Sequence, residues 1–373
     1  MKIITNILIG LSLLTATAQA VEIVKLGVVA PLTGPQAHQG KDIENGARLA
    51  IDEINSVNPT LDGKSVRFEL LVEDDQADPR TATVVAQKLV DNGIKGVIGH
   101  LNSGASIPAA RIYAEAGIPQ VSPSTTAVAY TQQGFKTTYR VMANDAQQGH
   151  ALGEYAVRIG QRVAVVDDRT TYGQGLADEV IKAVQAGGGM VVAREFTTDK
   201  STDFTAILTS LKAKRPDVLF YGGMDPQAAP MARQMKMLGL KAVFMGGDGT
   251  QTTEFLKLAG TAAEGIIASS PGLPLEKMPG GKEFAARFNA RFGKIQLYAP
   301  FAYDASRVLI AAIREANSAE PARYLPKLAQ IAFDGITGAI AFDVHGDIKN
   351  GPITLYQVKN NQWVPLTTIG GKN

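Results

Sequence analysis

The chain contains no cysteine. That excludes a disulfide framework, a thiolate metal site and a cysteine at a cleavage site to carry a lipid anchor. Tryptophan occurs once and histidine four times in 373 residues. His38, His100, His150 and His345 stand far apart, and neither H-E-x-x-H nor G-x-S-x-G occurs, so no local catalytic or metal motif is present. Charge of one sign is scarce: 37 Lys and Arg against 35 Asp and Glu give a formal net charge of +2. There is no long basic run and no basic patch interleaved with aromatics, which removes the footprint of a nucleic-acid binder. After the first twenty residues no apolar run is long enough to span a bilayer.

Hydrophobic residues make up 45% of the chain and charged ones 19%, a composition that folds, at a length that fits two domains. The N-terminus has a charged start at Lys2, an apolar core from Ile7 to Leu14 and a small-residue pattern at Ala18-Gln19-Ala20. This reads as a secretory signal peptide, residues 1–20, cut after Ala20. The product is expected to be a soluble protein exported to the periplasm.

The stretch from Gly99 to Ala127, GHLNSGASIPAARIYAEAGIPQVSPSTTA, organises the rest. A short buried strand ends at Gly99, a turn follows through Leu101 and Asn102, and a helix starts between Ser103 and Ser106. A second strand at 120–121 runs into the hydroxyl cluster Ser122, Ser124, Thr125 and Thr126. Both polar turns follow the carboxyl ends of strands, where open α/β sheets bind ligands. A helix start also offers free N–H groups to an anion. The plainer alternative is that Ser103 or Ser106 caps a helix and the hydroxyl cluster is a solvated loop.

Strands at 24–31, 66–73, 96–99, 120–121, 162–166, 190–196, 218–221, 242–245 and 265–269 alternate with helices. The helices are expected at 42–57, 79–92, from 103–106 onward, and at 146–159, 176–185, 204–212, 227–238 and 253–258. Such alternation predicts two parallel α/β arrays. Further helices at 282–291, 299–315 and 322–331 precede short antiparallel strands at 339–342, 353–357 and 363–366. Gly34 and Gly40-Lys41 imitate a phosphate loop, but five residues separate the glycines and Asp42 replaces the hydroxyl residue. Glu73, Asp74, Asp75 and Asp78 lack calcium-loop spacing and read as capping and solvated acids, with Asp78 before Pro79 as an N-cap. Gly173-Gln174-Gly175 lacks the third glycine of a dinucleotide fingerprint. Asp248, between glycines at a strand end, is either a turn residue or a carboxylate for a ligand ammonium.

Several pieces stand in one order behind the leader. They are Gly27-Val28-Val29-Ala30-Pro31 into Leu32-Thr33-Gly34-Pro35, Asp74-Asp75 with Asp78-Pro79, and Val97-Ile98-Gly99-His100 with Ser103. Ser122-Pro123-Ser124-Thr125-Thr126, Tyr172-Gly173-Gln174-Gly175 and Gly246-Gly247-Asp248-Gly249 complete them. Together they resemble the periplasmic amino-acid-binding proteins of the leucine/isoleucine/valine type, the type I substrate-binding proteins of ABC importers. The resemblance covers nearly the whole mature chain.

It implies an α/β, two-lobe periplasmic binding protein type I fold, a venus-flytrap in which each lobe is a mostly parallel sheet flanked by helices. The lobes would be 21–142 plus 271–345 and 143–270 plus 346–373, joined by three crossings near 142–144, 269–271 and 343–346. It implies a ligand carboxylate held at Ser103 and Thr126. The ammonium would be held at Asp248, the Ser124 carbonyl and the Thr126 hydroxyl, with Tyr172 closing from the second lobe. Leu101, Asn102, Gln39, Met224 and Tyr298 complete the implied ligand set. The implied partners are an amino acid and the membrane permease of an ABC transporter. The implied protein is a monomer with no cofactor and no catalytic role. Gln39 and Met224 stand where branched-chain binders of the family carry aromatics, and Tyr298 where a phenylalanine is usual. Asn102 and Ala77 stand where it carries a cystine, and Asp248 where it carries glutamate. The pocket is therefore more polar than an aliphatic side chain prefers. Two alternatives remain open: the same fold holding an aromatic acid or amide, and an exported α/β hydrolase using His100 near Ser103.

Overall fold

Strand β1 (Glu22–Ala30) is buried throughout from Leu26 to Ala30, the pattern of a central parallel strand covered on both faces. It anchors a six-stranded sheet in this computed structural model, which describes residues 21–371; the proposed signal peptide lies outside the described residues. The first array runs β1, α1 (Ala37–Ser56), β2 (Thr60–Leu61), β3 (Lys64–Asp74), α2 (Pro79–Asp91), β4 (Val97–Gly99), α3 (Ser103–Glu115), β5 (Gln120–Ser122) and β6 (Thr138–Arg140). Its strand order is β2-β3-β1-β4-β5-β6, parallel except for β2. The order reverses at β1, so a crevice opens between the carboxyl ends of β1 and β4.

The second array runs α4 (Asp145–Ile159), β7 (Arg162–Asp167), α5 (Thr171–Ala186), β8 (Met190–Phe196), α6 (Thr205–Lys214), β9 (Val218–Gly222), α7 (Asp225–Met237), β10 (Val243–Gly246), α8 (Thr253–Ala259) and β11 (Ile267–Pro271). After it come α9 (Gly281–Phe292), α10 (Ala299–Glu315), α11 (Pro321–Ala329), the small hairpin β12 (Phe333–Asp334) and β13 (Ala339–Ile340), and then β14 (Ile353–Lys359) and β15 (Gln362–Ile369). The second sheet has the order β15-β14-β11-β10-β9-β7-β8, with β14 and β15 antiparallel. It reverses at β7, which places a second crevice beside β7 and β9.

Period-two alternation sorts the second sheet's side chains between two cores. Val163, Val165, Val218 and Phe220 join one apolar cluster, and Ala164, Val166, Leu219 and Tyr221 join another. Helix α10 packs on α1 against the first sheet, while β14 and β15 extend the second.

Three readings need correction. Helix α1 begins at Ala37, five residues before the expected start. Gly40 lies in its first turns, where a Cβ would stand 1.9 Å from the Pro31 carbonyl oxygen; the glycine marks a close approach, not a loop. Helix α5 begins at Thr171 with Thr170 as its cap, so Tyr172 projects from a helix. Neither the β2–β3 hairpin nor β6 was expected.

Candidate functional site

The turn after β4 and the loop after β5 are tied together by their own hydroxyls. Ser122 Oγ donates to the His100 carbonyl at 3.0 Å, Thr125 Oγ1 to the same oxygen at 3.2 Å, and Ser124 Oγ to the Leu101 carbonyl at 3.2 Å. Ser122, Ser124, Thr125 and Thr126 are all buried, so the loop is not solvated. Asn102 is the N-cap of α3 but its side chain accepts nothing there. Ser103 is the first helical residue, and its Oγ accepts from the Ala127 N–H at 3.3 Å; it caps no helix. Beneath the loop lies Arg140, with no exposed surface. Its Nη1 donates to the carbonyls of Thr125 and Ala127, each at 2.9 Å, and its Nη2 to Thr131 Oγ1 at 2.7 Å. Sequence reading missed Arg140. Its signal is a lone cation between the apolar Tyr139 and Val141.

Asp248 faces these groups from the turn after β10. Tyr172 donates to its Oδ1 at 2.8 Å, Gln148 Nε2 to the same oxygen at 2.9 Å, and Tyr298 to its Oδ2 at 2.8 Å. Only glycine allows this crowding on either side: a Cβ on Gly247 would lie 2.4 Å from the Tyr172 hydroxyl, and one on Gly249 2.6 Å from Met224 Sδ. Gln148 is itself held by Ser269, whose Oγ donates to Oε1 at 2.7 Å. Tyr298 is placed by Asp42, which accepts from the N–H groups of Gln296, Leu297 and Ala299 at 3.0, 2.9 and 2.8 Å. Gln148, Ser269 and Asp42 were not read as site residues. Asp42 drew notice only as a departure from a phosphate loop.

Leu101, Asn102, Ser103 and Ser124 from one sheet, with Tyr172, Met224 and Asp248 from the other and Tyr298 from the start of α10, line one small cavity. Its volume is about 10 Å³, space for about one water, so the two halves are closed upon it. Two expected residues stand outside it. Thr126 is not among its lining residues; it is buried, with an unpartnered hydroxyl. Gln39 donates to Asp225 Oδ1 at 3.3 Å, beside the 2.7 Å contact of His38 with Asp225 Oδ2. Asp225 at the start of α7 thereby joins the two arrays at the cleft rim.

A larger groove of about 890 Å³ runs along Phe135–Tyr139, α11 and the 341–349 loop. It lies away from both strand-end crevices.

Burial drives the charges of the cleft. It raises Asp248 above the ordinary carboxyl value against three donors that lower it. It pushes Asp145 up to about 8, helped by the nearby charge of Asp248. Tyr172 and Tyr298 rise well above the usual phenol value and stay neutral donors. The acids of the β3–α2 turn hold structure instead: Asp78 caps α2, Asp74 accepts from Leu32 N–H at 2.8 Å, and the buried Asp75 contacts His100 Nδ1 at 2.8 Å. The other His100 ring nitrogen lies 3.1 Å from the Tyr113 hydroxyl. No His100–Ser103 pair is formed, which removes the observation behind the hydrolase alternative. Among the described residues no cluster of metal-ligating side chains occurs.

Comparison with known proteins agrees with this geometry. A family profile described as "Periplasmic binding protein" matches residues 23–362. The chain is 35% identical over 337 residues to the Leu/Ile/Val-binding protein homolog 1 of Brucella melitensis, covering 90% of each. It is 33% identical over 343 residues, 91% of each chain, to the leucine-, isoleucine-, valine-, threonine-, and alanine-binding protein of Pseudomonas aeruginosa. The crystal structure of the leucine binding protein LivK from Thermotoga maritima matches with a TM-score of 0.86 at 28% identity, over 93% of this chain and 99% of that one. Two mostly parallel sheets meeting at one cleft, and a sequence match over almost the whole described chain, lead to one conclusion: the chain belongs to the periplasmic binding protein family.

Proposed function

We propose that this protein is the solute-binding component of an ABC importer and captures an amino acid between its lobes for delivery to the membrane permease. The observation that carries the reading is Asp248, a buried carboxylate facing hydroxyls and a helix start across a closed cleft. A buried ammonium and a buried carboxylate must each find a partner. In this reading Ser103, Thr126 and the start of α3 receive the ligand carboxylate. Asp248, the Ser124 carbonyl and the Thr126 hydroxyl receive the ammonium. Leu101, Asn102, Met224 and Tyr298 face the side chain, with Gln39 at the rim beside Asp225 and Tyr172 closing from the second lobe. The lobes are 21–142 with 271–345, and 143–270 with 346–373, and the crossings near 142–144, 269–271 and 343–346 act as hinges. Export follows cleavage after Ala20, and the protein works as a monomer.

A thermal-shift screen of the chain from Val21 onward tests this against the amino acids and their desamino analogues. A ligand at about 100 times its Kd adds roughly 2.7 kcal/mol to the folded state. Stabilisation by amino acids supports the reading. Stabilisation only by acids lacking an amine reassigns the site to the aromatic-acid or organic-acid alternative.

A further inference from the structure

Asp248 is not the only buried acid held by Gln148 beside the cleft. Asp145, the first residue of α4, is 1% exposed. Its backbone N–H donates to the Thr126 carbonyl at 2.8 Å. Its Oδ1 accepts from Gln148 Nε2 at 3.2 Å, and the same nitrogen donates to Asp248 Oδ1 at 2.9 Å. One amide thus bridges two carboxyls. Asp145 Oδ2 and Thr126 Oγ1 are both buried and both lack a hydrogen-bond partner. The Thr126 hydroxyl stands near the Asp145 carboxyl without reaching hydrogen-bond geometry. The ionisable groups facing Asp145 are Asp248, Arg140, Tyr172 and Tyr298. Arg140 is committed to Asp347 and to two loop carbonyls, and the phenols carry no charge.

We infer that Asp145 is a second carboxylate of the ammonium subsite, and that capture of an amino acid expels its proton. The inference rests on the amino-acid reading proposed above. Two like charges held together by neutral donors cannot both ionise in a buried site. In the ligand-free closed form the pair keeps one proton, on Asp145. The ligand enters as R–NH3+; the Asp145 carboxyl becomes a carboxylate and its proton leaves to solvent. The ammonium then lies between Asp248, Thr126 and Asp145. Asp248 thereby gains a partner of like charge, held by the same Gln148 amide, to share the cation. A ligand without an amine leaves that proton in place.

Isothermal titration in buffers of different ionisation enthalpy measures the proton directly, with L-leucine, L-threonine and L-alanine as probes and 4-methylpentanoate as the desamino control. The expected result is release of close to one proton per bound amino acid at pH 7. The association constant should rise about tenfold per pH unit from pH 5.5 to 7.5 and level off above pH 8. The control should release none. In Asp145→Asn the release should vanish and the pH profile flatten, with the affinity loss larger at pH 8 than at pH 6. Buffer-independent heat in the unaltered protein overturns the inference and leaves the amino-acid reading standing, and needs no variant to fold. Undiminished proton release in Asp145→Asn overturns the assignment to Asp145. Failure of all twenty amino acids to bind overturns the amino-acid reading itself, and this inference with it.

Discussion

Replacing Asp248 with asparagine separates a carboxylate that binds ligand from one that holds the fold. In the closed protein Asp248 accepts from Tyr172 and Tyr298 at 2.8 Å and from Gln148 at 2.9 Å. Burial still leaves its pKa raised. A carboxyl raised on folding contributes most stability below its unfolded pKa, and that contribution is lost as pH rises through the folded value. Its charged form is therefore a cost to the fold. Asparagine removes that cost and keeps one acceptor oxygen. The ligand-free variant should match or exceed the unaltered protein in urea unfolding at pH 7. Binding should move the other way. A buried ammonium that loses one of its two acids loses about 3 kcal/mol, the low end for breaking a buried ion pair, which weakens Kd by roughly 200-fold. Titration calorimetry with L-leucine, L-threonine and L-alanine reads this. Amino-acid binding within threefold of the unaltered protein would refute the reasoning. Loss of folding without ligand would make Asp248 a scaffold residue.

Arg140→Met leaves loop carbonyls and Asp347 without their buried cation; urea unfolding should show a loss of about 3–5 kcal/mol. Asp42→Ala orphans three N–H groups before α10, at about 1–3 kcal/mol for each. It should also free Tyr298, so titration should show weaker binding at a temperature where the variant stays folded. At the rim, burial lowers the His38 pKa but its bond to Asp225 and the charges of Asp225 and Glu254 outweigh it, so the net shift is upward. The contact is fully present below the ordinary histidine value and is lost as pH rises through the raised one. His38→Ala should cost about 1–3 kcal/mol of closure, since it takes a partner from the fully buried Asp225, and its effect on Kd should shrink at alkaline pH.

Long periodic elements were legible in the sequence. The strand Met190–Phe196 and the helix Ala299–Glu315 span the same residues in the structure as in the reading, because apolar spacing alone defines them. The starts of α1 and α5 were not, because Gly40 and Gly173 looked like loop residues. In the fold Gly173 instead sits where a Cβ would stand 2.4 Å from the Gly222 carbonyl oxygen. Strands β2 and β6, of two and three residues, carry too little pattern to be seen. Leu101, Asn102, Ser103, Ser124, Tyr172, Met224, Asp248 and Tyr298 do meet at one cavity. They were found because strand-end residues in an α/β array converge. Gln148 was invisible for the opposite reason: it lies on a helix, and its partner Asp248 is 100 residues away. Such pairs have no spacing rule, so only the folded chain brings them together.

The cleft distributes charge unevenly, and that bears on how closure selects a ligand. At the rim, Asp225 meets His38, Gln39 and Thr252, a set that includes a cation when His38 is protonated. At the centre, Asp248 and Asp145 meet the neutral Tyr172, Tyr298, Gln148 and Thr126. Closure can shift toward a ligand only by as much as that ligand favours the closed form over the open one. Rim contacts form whatever occupies the cleft, so they hold the lobes together without discriminating. The centre is where discrimination arises. An ammonium offsets the two central acids only when the lobes have met around it. On the proposed reading, a desamino acid of the same shape leaves the acids to keep their proton. On the same reading, selection for an amine follows from burying two acids among neutral donors, and Asn102 and Met224 act on ligands that have already met that requirement.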